Sequence, residues 1–303
     1  MNARALAVAD LDTLATGPET DGPAGIVTTP QAATGPAAVV PAAAPVQPLR
    51  LAGLWRQFRP TVLSTGFGLF MLALWEFLVW VTDYPPAILP SPTAILATMF
   101  AHRELLLTNM PPTAGVALGG FFIATFAGVA IAVAMTWSKY LKEAFYPNII
   151  AFQIVPKIAW APMFILWLGI DTESRLGFAT FISIFPIIIS MTTGLQSTDR
   201  SMLMLCRSLT ASKWQMLVHV RFPYALPFLF SAMKISITLA MIGVIVAEFI
   251  TSQRGLGFVI LTAAGRAETD LIMAAVLVLI VVGLAFYGVV AFGTWLVDRW
   301  FGR

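Results

Sequence analysis

The chain has 303 residues, of which 58% are hydrophobic and 11% charged, with a mean hydropathy of +0.84 and a formal net charge of +3. Soluble domains carry about 25% charged residues, so polar side chains cannot cover this chain in water and it reads as an all-α integral membrane protein. One cysteine, Cys206, excludes an intramolecular disulfide framework and a cysteine-based zinc site, and two histidines, His102 and His219, argue against a histidine metal centre.

Residues 1–48 are Ala, Pro, Gly and Thr with few large apolar side chains, as in "GPAGIVTTPQAATGPAAVVPAAAPVQP". Such a segment cannot bury enough surface to offset its ordering entropy, so a disordered tail is expected. Asp10 and Asp12 interrupt it, and no basic start precedes an apolar core, so it is not a signal peptide. Residues 49–303 hold six apolar segments, at 62–82, 111–137, 146–168, 176–195, 226–250 and 271–297. Each is near or above the roughly 20 residues that a helix needs to cross a bilayer.

The first span carries Glu76 beside Trp75 and Trp80, where a structural hydrogen bond is a better account than transport chemistry. After it, Ser91-Pro92-Thr93 reads as a helix start, and the apolar stretch that follows is too short to span. A short helix on the outer surface is predicted. The second span contains Gly115, Gly119, Gly120, Ala124 and Gly128, a spacing that lets two helices approach closely. Internal packing is the first reading and a subunit interface the second. The third span is interrupted by Pro156, Lys157 and Pro162. A proline frees carbonyls that only protein or water can satisfy. Gln153, Lys157 and Trp160 are therefore candidates for a translocation path; the alternative for Lys157 is a pair with Glu248 or Glu76. In the fifth span Lys234 can snorkel to the cytoplasmic edge. Glu248 at its outer end, with Gly255 and Gly257, reads as an outer gate or as packing.

Basic residues set the orientation. One side carries Arg4, Arg50, Arg56, Arg59, Lys139, Lys142, Arg200, Arg207, Lys213, Arg221, Arg299 and Arg303; the other carries Arg103, Arg175, Arg254 and Arg266. Twelve against four places both termini and the 138–145 and 196–225 loops in the cytoplasm.

The 196–225 loop is "QSTDRSMLMLCRSLTASKWQMLVHVRFPYA". Met202, Leu203, Leu205, Cys206 and Leu209 recur at helical spacing. Thr210 and Ala211 break the pattern, and Ser212 is a candidate N-cap for a second helix bearing Trp214, Leu217 and Val218. Pro223 and Pro227 mark the join to the fifth span. Two short helices with a turn are expected, either resting on lipid headgroups or docking in a groove of a cytoplasmic partner.

The loop resembles the cytoplasmic signature of permease subunits of ATP-binding-cassette (ABC) importers: Glu-Ala-Ala, three residues, Gly, nine residues, an aliphatic residue, any residue, Leu-Pro. Aligned on Pro223, the chain reads Met204-Leu205-Cys206, then Thr210, then Val220, Arg221, Phe222 and Pro223. The spacing and ending hold, the Glu-Ala-Ala is lost, and Thr replaces Gly. Glycine supplies positive φ cheaply and a β-branched residue does not, so the turn either uses ordinary dihedrals or carries strain. "IVPKIAWAPMFILWLGIDTESRLGFATFISIFPIIISMTTGLQSTD" and "VIVAEFITSQRGLGFVILTAAGRAETD" are similar to the nitrate, sulfonate and taurine branch.

The resemblance implies a six-span type I importer fold, with residues 49–303 as the permease domain. It implies a homodimer in the cell (inner) membrane, in contact with lipid, with ABC ATP-binding subunits below and an extracytoplasmic substrate-binding protein above. Met204, Leu205, Cys206, Arg207, Thr210, Lys213, Trp214, Val220 and Pro223 would couple to the ATP-binding subunit. No lysine is followed by Ser or Thr, so the chain has no Walker A lysine and is not itself the ATPase. No Gly-x-Ser-x-Gly or His-Glu-x-x-His occurs either. No cofactor, metal or nucleic-acid partner is expected. The implied cargo is a small anion such as a sulfonate, taurine or nitrate; a thiamine-precursor pyrimidine, a flavin or an aromatic acid is the alternative. An ion-coupled secondary transporter using Lys157 and Glu248, and a non-transporting scaffold, are the rival readings.

Overall fold

The computed structural model describes residues 50–251 and 253–300, and Arg59–Arg303 form one compact unit. The expectation for residues 1–48 lies outside the described residues. The elements in order are α1 (Arg50–Thr82), α2 (Pro92–Ala101), α3 (Arg103–Trp137), α4 (Lys139–Ile154), a 3-10 turn (Lys157–Trp160), α5 (Ala161–Leu168), α6 (Thr172–Gln196), α7 (Arg200–Ser208), α8 (Lys213–Met216), a π turn (Leu217–Arg221), α9 (Phe222–Thr251), α10 (Leu256–Gly265) and α11 (Thr269–Trp300). Every described regular element is helical. Among the described residues, five stretches are long and apolar enough to cross a bilayer: Val62–Thr82, Arg103–Trp137, Thr172–Gln196, Lys213–Ile250 and Thr269–Arg299.

The third apolar segment is not one straight span. Its two halves, Lys139–Ile154 and Lys157–Leu168, meet at 96°, and only together do they make a sixth crossing. Pro156 is the cause: it drives the preceding Val155 to φ −62°, ψ 137°, outside the helical region. Pro162 sits in the first turn of α5, where a missing N–H costs nothing.

The core is built on α3, α6 and α9. Ala179 of α6 lies between two glycines. A Cβ on Gly120 would fall 2.7 Å from the Ala179 Cβ, and one on Gly243 would fall 3.0 Å from the Ala179 Cα. On the same face of α3, a Cβ on Gly128 would fall 2.7 Å from Ile187. The small residues of the second span therefore serve internal packing, with helix backbones in close approach. Gly115 has open space around it and takes no part. At one end Val116, Ala117, Val244, Leu256, Ala274 and Leu279 close the core; at the other, nearer the 196–225 loop, Ala132, Ile187, Met191, Leu217, Ala225 and Leu229 do so.

Two element boundaries differ from expectation. α3 starts eight residues before 111 and runs through Pro111 and Pro112. Pro223 and Pro227 do not separate the cytoplasmic loop from the fifth span, because helix continues from Lys213 to Ile250. The π turn just before Pro223 accounts for this: Phe222 N–H bonds Leu217 O, five residues back, and the wider turn accommodates the proline. The short helix expected after the first span is α2, capped by Ser91, whose Oγ accepts from Ala94 N at 3.2 Å.

Glu76 has the structural role expected. It accepts from the Thr93 hydroxyl at 2.6 Å and from Thr93 N at 3.1 Å, tying α1 to the start of α2. Thr98 donates to Asp270 at 2.7 Å, and the Thr269 hydroxyl bonds Ala87 O, so α11 holds α2 from the other side.

Candidate functional site

Three regions hold the residues singled out by sequence. The first is at the C-terminal end of α9. Glu248 is fully buried. The Thr113 hydroxyl lies 2.8 and 3.0 Å from its two oxygens, Gly257 N donates at 2.8 Å, and Arg175 Nη1 is 3.9 Å away. Thr113 Oγ1 in turn accepts from Leu256 N at 2.8 Å, and Asn109 Oδ1 accepts from Gly255 N at 2.9 Å. Three successive amides at the start of α10 are thus satisfied by three side chains, two from α3 and one from α9. Amides at a helix start have no partner within the helix, and buried ones must find another.

Both glycines are required by this arrangement. Gly255 has φ +111°, and a Cβ there would lie 2.2 Å from Glu248 Oε1. A Cβ on Gly257 would lie 2.7 Å from the Glu248 Cβ. Only a residue without a side chain lets the backbone come this close. Glu248, Gly255 and Gly257 are therefore one unit, as the sequence suggested. Thr113, Asn109 and Arg175 were missed as members. Their signal was available: Asn109 and Thr113 are polar, one turn apart, at the start of a mostly apolar helix.

The second region is the break in the third span. Lys157 is half-buried at the start of the 3-10 turn, with its ammonium 4.9 Å from the centre of the Phe185 ring. Among the described residues no carboxylate lies within 4.0 Å of it. The expected alternative, a pair with Glu248 or Glu76, is not formed: Glu248 faces Arg175 and Glu76 faces Thr93. The surroundings are aromatic. Trp160 packs on Phe181 at 6.1 Å between centroids, Phe181 on Phe185 at 5.5 Å, and Phe152 on Phe185 at 6.4 Å. Gln153, four residues before Lys157, is exposed on α4.

The third region is the 196–225 loop. It does form two helices with a turn. Asp199 caps α7 by accepting from Ser201 N at 2.9 Å. Ser212 caps α8 in a reciprocal box with Gln215, at 3.2 and 2.8 Å. Between them Thr210 has φ +57°, so the turn carries strain and does not use ordinary dihedrals. Thr210 N bonds Arg207 O at 3.0 Å and Ala211 N bonds Cys206 O at 2.9 Å, the pattern in which glycine is usual at the position Thr210 occupies.

Met204, Leu205, Leu209 and Trp214 are between 55% and 71% exposed, an apolar surface that Met202 and Val218 extend. Cys206, Val220 and Pro223 are half-buried, and Arg207 and Lys213 are exposed. Leu217 reaches back into the core with Ile187, Met191 and Ala225. The loop is thus fixed to the spanning helices on one side and open on the other.

A family model described as "Binding-protein-dependent transport system inner membrane component" matches residues 120–302. The chain is 31% identical over 234 residues to the riboflavin transport system permease protein RibX of Chloroflexus aurantiacus, covering 77% of this chain and 87% of that protein. It is 27% identical over 248 residues to the taurine transport system permease protein TauC of Escherichia coli, again covering 77% and 87%. Among solved structures it superposes on a chain of the inward-facing MetNI methionine ABC transporter with a TM-score of 0.55 at 15% identity, covering 65% of this chain and 98% of that one. At that identity the superposition speaks for the fold.

Proposed function

Because this chain belongs to the binding-protein-dependent transport system inner membrane component family, we propose that it passes a small anionic solute of the sulfonate, taurine or nitrate type into the cytoplasm by alternating access. At the coarser level it is a multi-pass membrane permease subunit of an ABC importer for small solutes, working with ATP-binding and substrate-binding subunits. That membership sets aside the readings as a stand-alone secondary transporter and as a scaffold.

The observation that carries the mechanism is the unbroken helix from Lys213 to Ile250. In this reading the exposed side of the loop docks in the ATP-binding subunit, in the cytoplasm. Met204, Leu205, Cys206, Arg207, Thr210, Lys213 and Trp214 form the contact, and Val220 and Pro223 pass the movement on. A push on α8 enters α9 directly, since no hinge loop intervenes. The chain acts as a homodimer, with both termini cytoplasmic and Glu248, Gly255 and Gly257 closing the outer side. ATP hydrolysis is left to the separate subunit.

For the cargo, Lys157 supports an anion. It is a half-buried cation at a break in a spanning segment, facing an aromatic ring and no carboxylate. Gln153 and Trp160 flank it along the path. A second reading, a flavin, a pyrimidine or an aromatic acid, is favoured by the rings of Phe152, Trp160, Phe181 and Phe185, which could stack on a planar solute, and by the likeness to a riboflavin permease.

Copurification and uptake test both parts. Trp214→Ala and Lys213→Glu should each lose the ATP-binding subunit on purification while still inserting in the membrane. If both variants keep the subunit and couple normally, the loop assignment is wrong. A ligand screen on the substrate-binding protein separates anions from aromatic solutes, and Lys157→Gln should lower uptake of the solute it identifies.

A further inference from the structure

A cavity of about 150 Å³ opens where α3, α7 and α8 meet. Thr136, Trp137, Arg207, Lys213, Leu217 and Arg221 line it. Three of these are cations, brought together from the end of α7, the start of α8 and the π turn. Among the described residues no carboxylate lies within 4.0 Å of any of them. The Thr136 hydroxyl is spent on Ala132 O at 2.9 Å, so the charged donors lining the cavity are the three cations, with the Trp137 indole beside them. Like charges gathered in one recess raise the energy of the empty site, and an anion with several acceptor oxygens relieves it.

The depth of the cavity identifies the anion. Trp137 is the last residue of the spanning helix α3, and it is exposed and packs on Trp214 at 6.2 Å between centroids. Tryptophan is enriched at the level where lipid headgroups meet water. The floor, Leu217, belongs to the core between the spanning helices. Basic pockets between spanning helices on the cytoplasmic side hold anionic headgroups. We infer that Arg207, Lys213 and Arg221 bind the phosphate of an anionic phospholipid headgroup from the cytoplasmic leaflet, seating the coupling loop on the membrane. The inference rests on the cytoplasmic orientation proposed above and shares Arg207 and Lys213 with the proposed contact to the ATP-binding subunit; Arg221 lies outside that contact and separates the two roles. It is read out by lipid retention, so its failure leaves the transport reading untouched.

The test uses the assembled importer in nanodiscs of mixed phosphatidylglycerol and phosphatidylcholine, with retained lipid counted by native mass spectrometry. The wild type should hold phosphatidylglycerol in excess. In the assembled importer Arg221→Gln should reduce that preference about fivefold with the ATP-binding subunit retained; Arg207→Gln, Lys213→Gln and the triple variant are read beside wild-type permease, each purified without that subunit, where the single changes should cost about fivefold and the triple roughly a hundredfold. Arg221→Lys should keep most of it. Lys139→Gln removes a cation on the same side that pairs with Glu143 and does not line the cavity, and it should change nothing.

No preference in the wild type, survival of the preference in the triple variant, or an equal loss in Lys139→Gln would each overturn the site. Inorganic phosphate added to importer in pure phosphatidylcholine distinguishes the source. If it raises thermal stability as much as phosphatidylglycerol does, the ligand is a free anion and not a lipid. Preference seen in the permease alone but absent from the assembled importer would mean that a carboxylate of the ATP-binding subunit fills the cavity, which also overturns the lipid assignment.

Discussion

Replacing Thr210 with glycine should stabilise the turn between α7 and α8. Thr210 sits at φ +57° and is exposed. A left-handed conformation costs an L-residue about 1–2 kcal/mol. Glycine removes that strain but adds about 0.5–1 kcal/mol of unfolded-chain entropy. The difference leaves a net gain of about 0.5–1 kcal/mol, which corresponds to a population change of roughly twofold to fivefold. Global unfolding of a multi-span protein is a poor reporter of so local a change. Hydrogen exchange at the Thr210 and Ala211 amides is a direct one, since these bond Arg207 O and Cys206 O across the turn. Their exchange should slow by the same factor in Thr210→Gly. Thr210→Val, which keeps the branch and loses the hydroxyl, should exchange as fast as the wild type or faster. Unchanged or faster exchange in the glycine variant would refute the strain argument, and so would equal slowing in the valine variant.

Other substitutions test the packing and the outer unit. Glu248→Ala leaves Gly257 N and Arg175 facing an empty space, and it should cost about 3 kcal/mol in thermal unfolding; Glu248→Gln, which keeps the shape and one acceptor, should cost clearly less. Gly255→Ala places a methyl on the carboxylate, so its loss and that of Glu248→Ala should combine to less than their sum, as expected of residues in contact. Gly120→Ala meets the Ala179 Cβ and should destabilise by about 1–3 kcal/mol. Gly115→Ala meets nothing and should stabilise α3 by up to about 1 kcal/mol, measured in the same melts.

What sequence made legible was local chemistry with a strong preference. Ser91 and Ser212 announce their helices because a hydroxyl before a helical run has one good use, and both are caps. Thr210 at a glycine position posed a choice between two backbones, which the observed φ decides. The outer unit was half legible. Glu248 and its two glycines stand close in sequence, whereas Asn109 and Thr113 lie more than 130 residues away from it. Such partners are set by helix packing, which periodicity does not encode. The prolines were misjudged where tertiary context overrides them. Pro156 breaks its helix as its chemistry says, but Pro223 is absorbed by a π turn and Pro111 and Pro112 by a helix that starts further out.

The two ends of the fifth span explain how the parts fit together. From Lys213 to Ile250 the helix is 38 residues long, on the order of 55 Å. Its outer end is fixed to α3 and α10 through Glu248, and its inner end to α6 through Leu217 and Ala225. Between them Gly243 and Gly120 pinch Ala179, so α3, α6 and α9 have no room to slide past one another. Close-packed interiors transmit displacement and do not absorb it. By contrast, α4 has no buried residue, and most apolar side chains between 62 and 82 of α1 are exposed within the single chain. A displacement applied at the 196–225 loop is therefore carried by α3, α6 and α9 as a block, to which α1 and α4 are less closely packed within the chain. The bend at Pro156, with Lys157 beside it, falls at that boundary between the rigid and the loosely held helices. In the function proposed above, Lys157 would then meet the solute where relative motion is least restrained, as a path that opens alternately to the two sides requires.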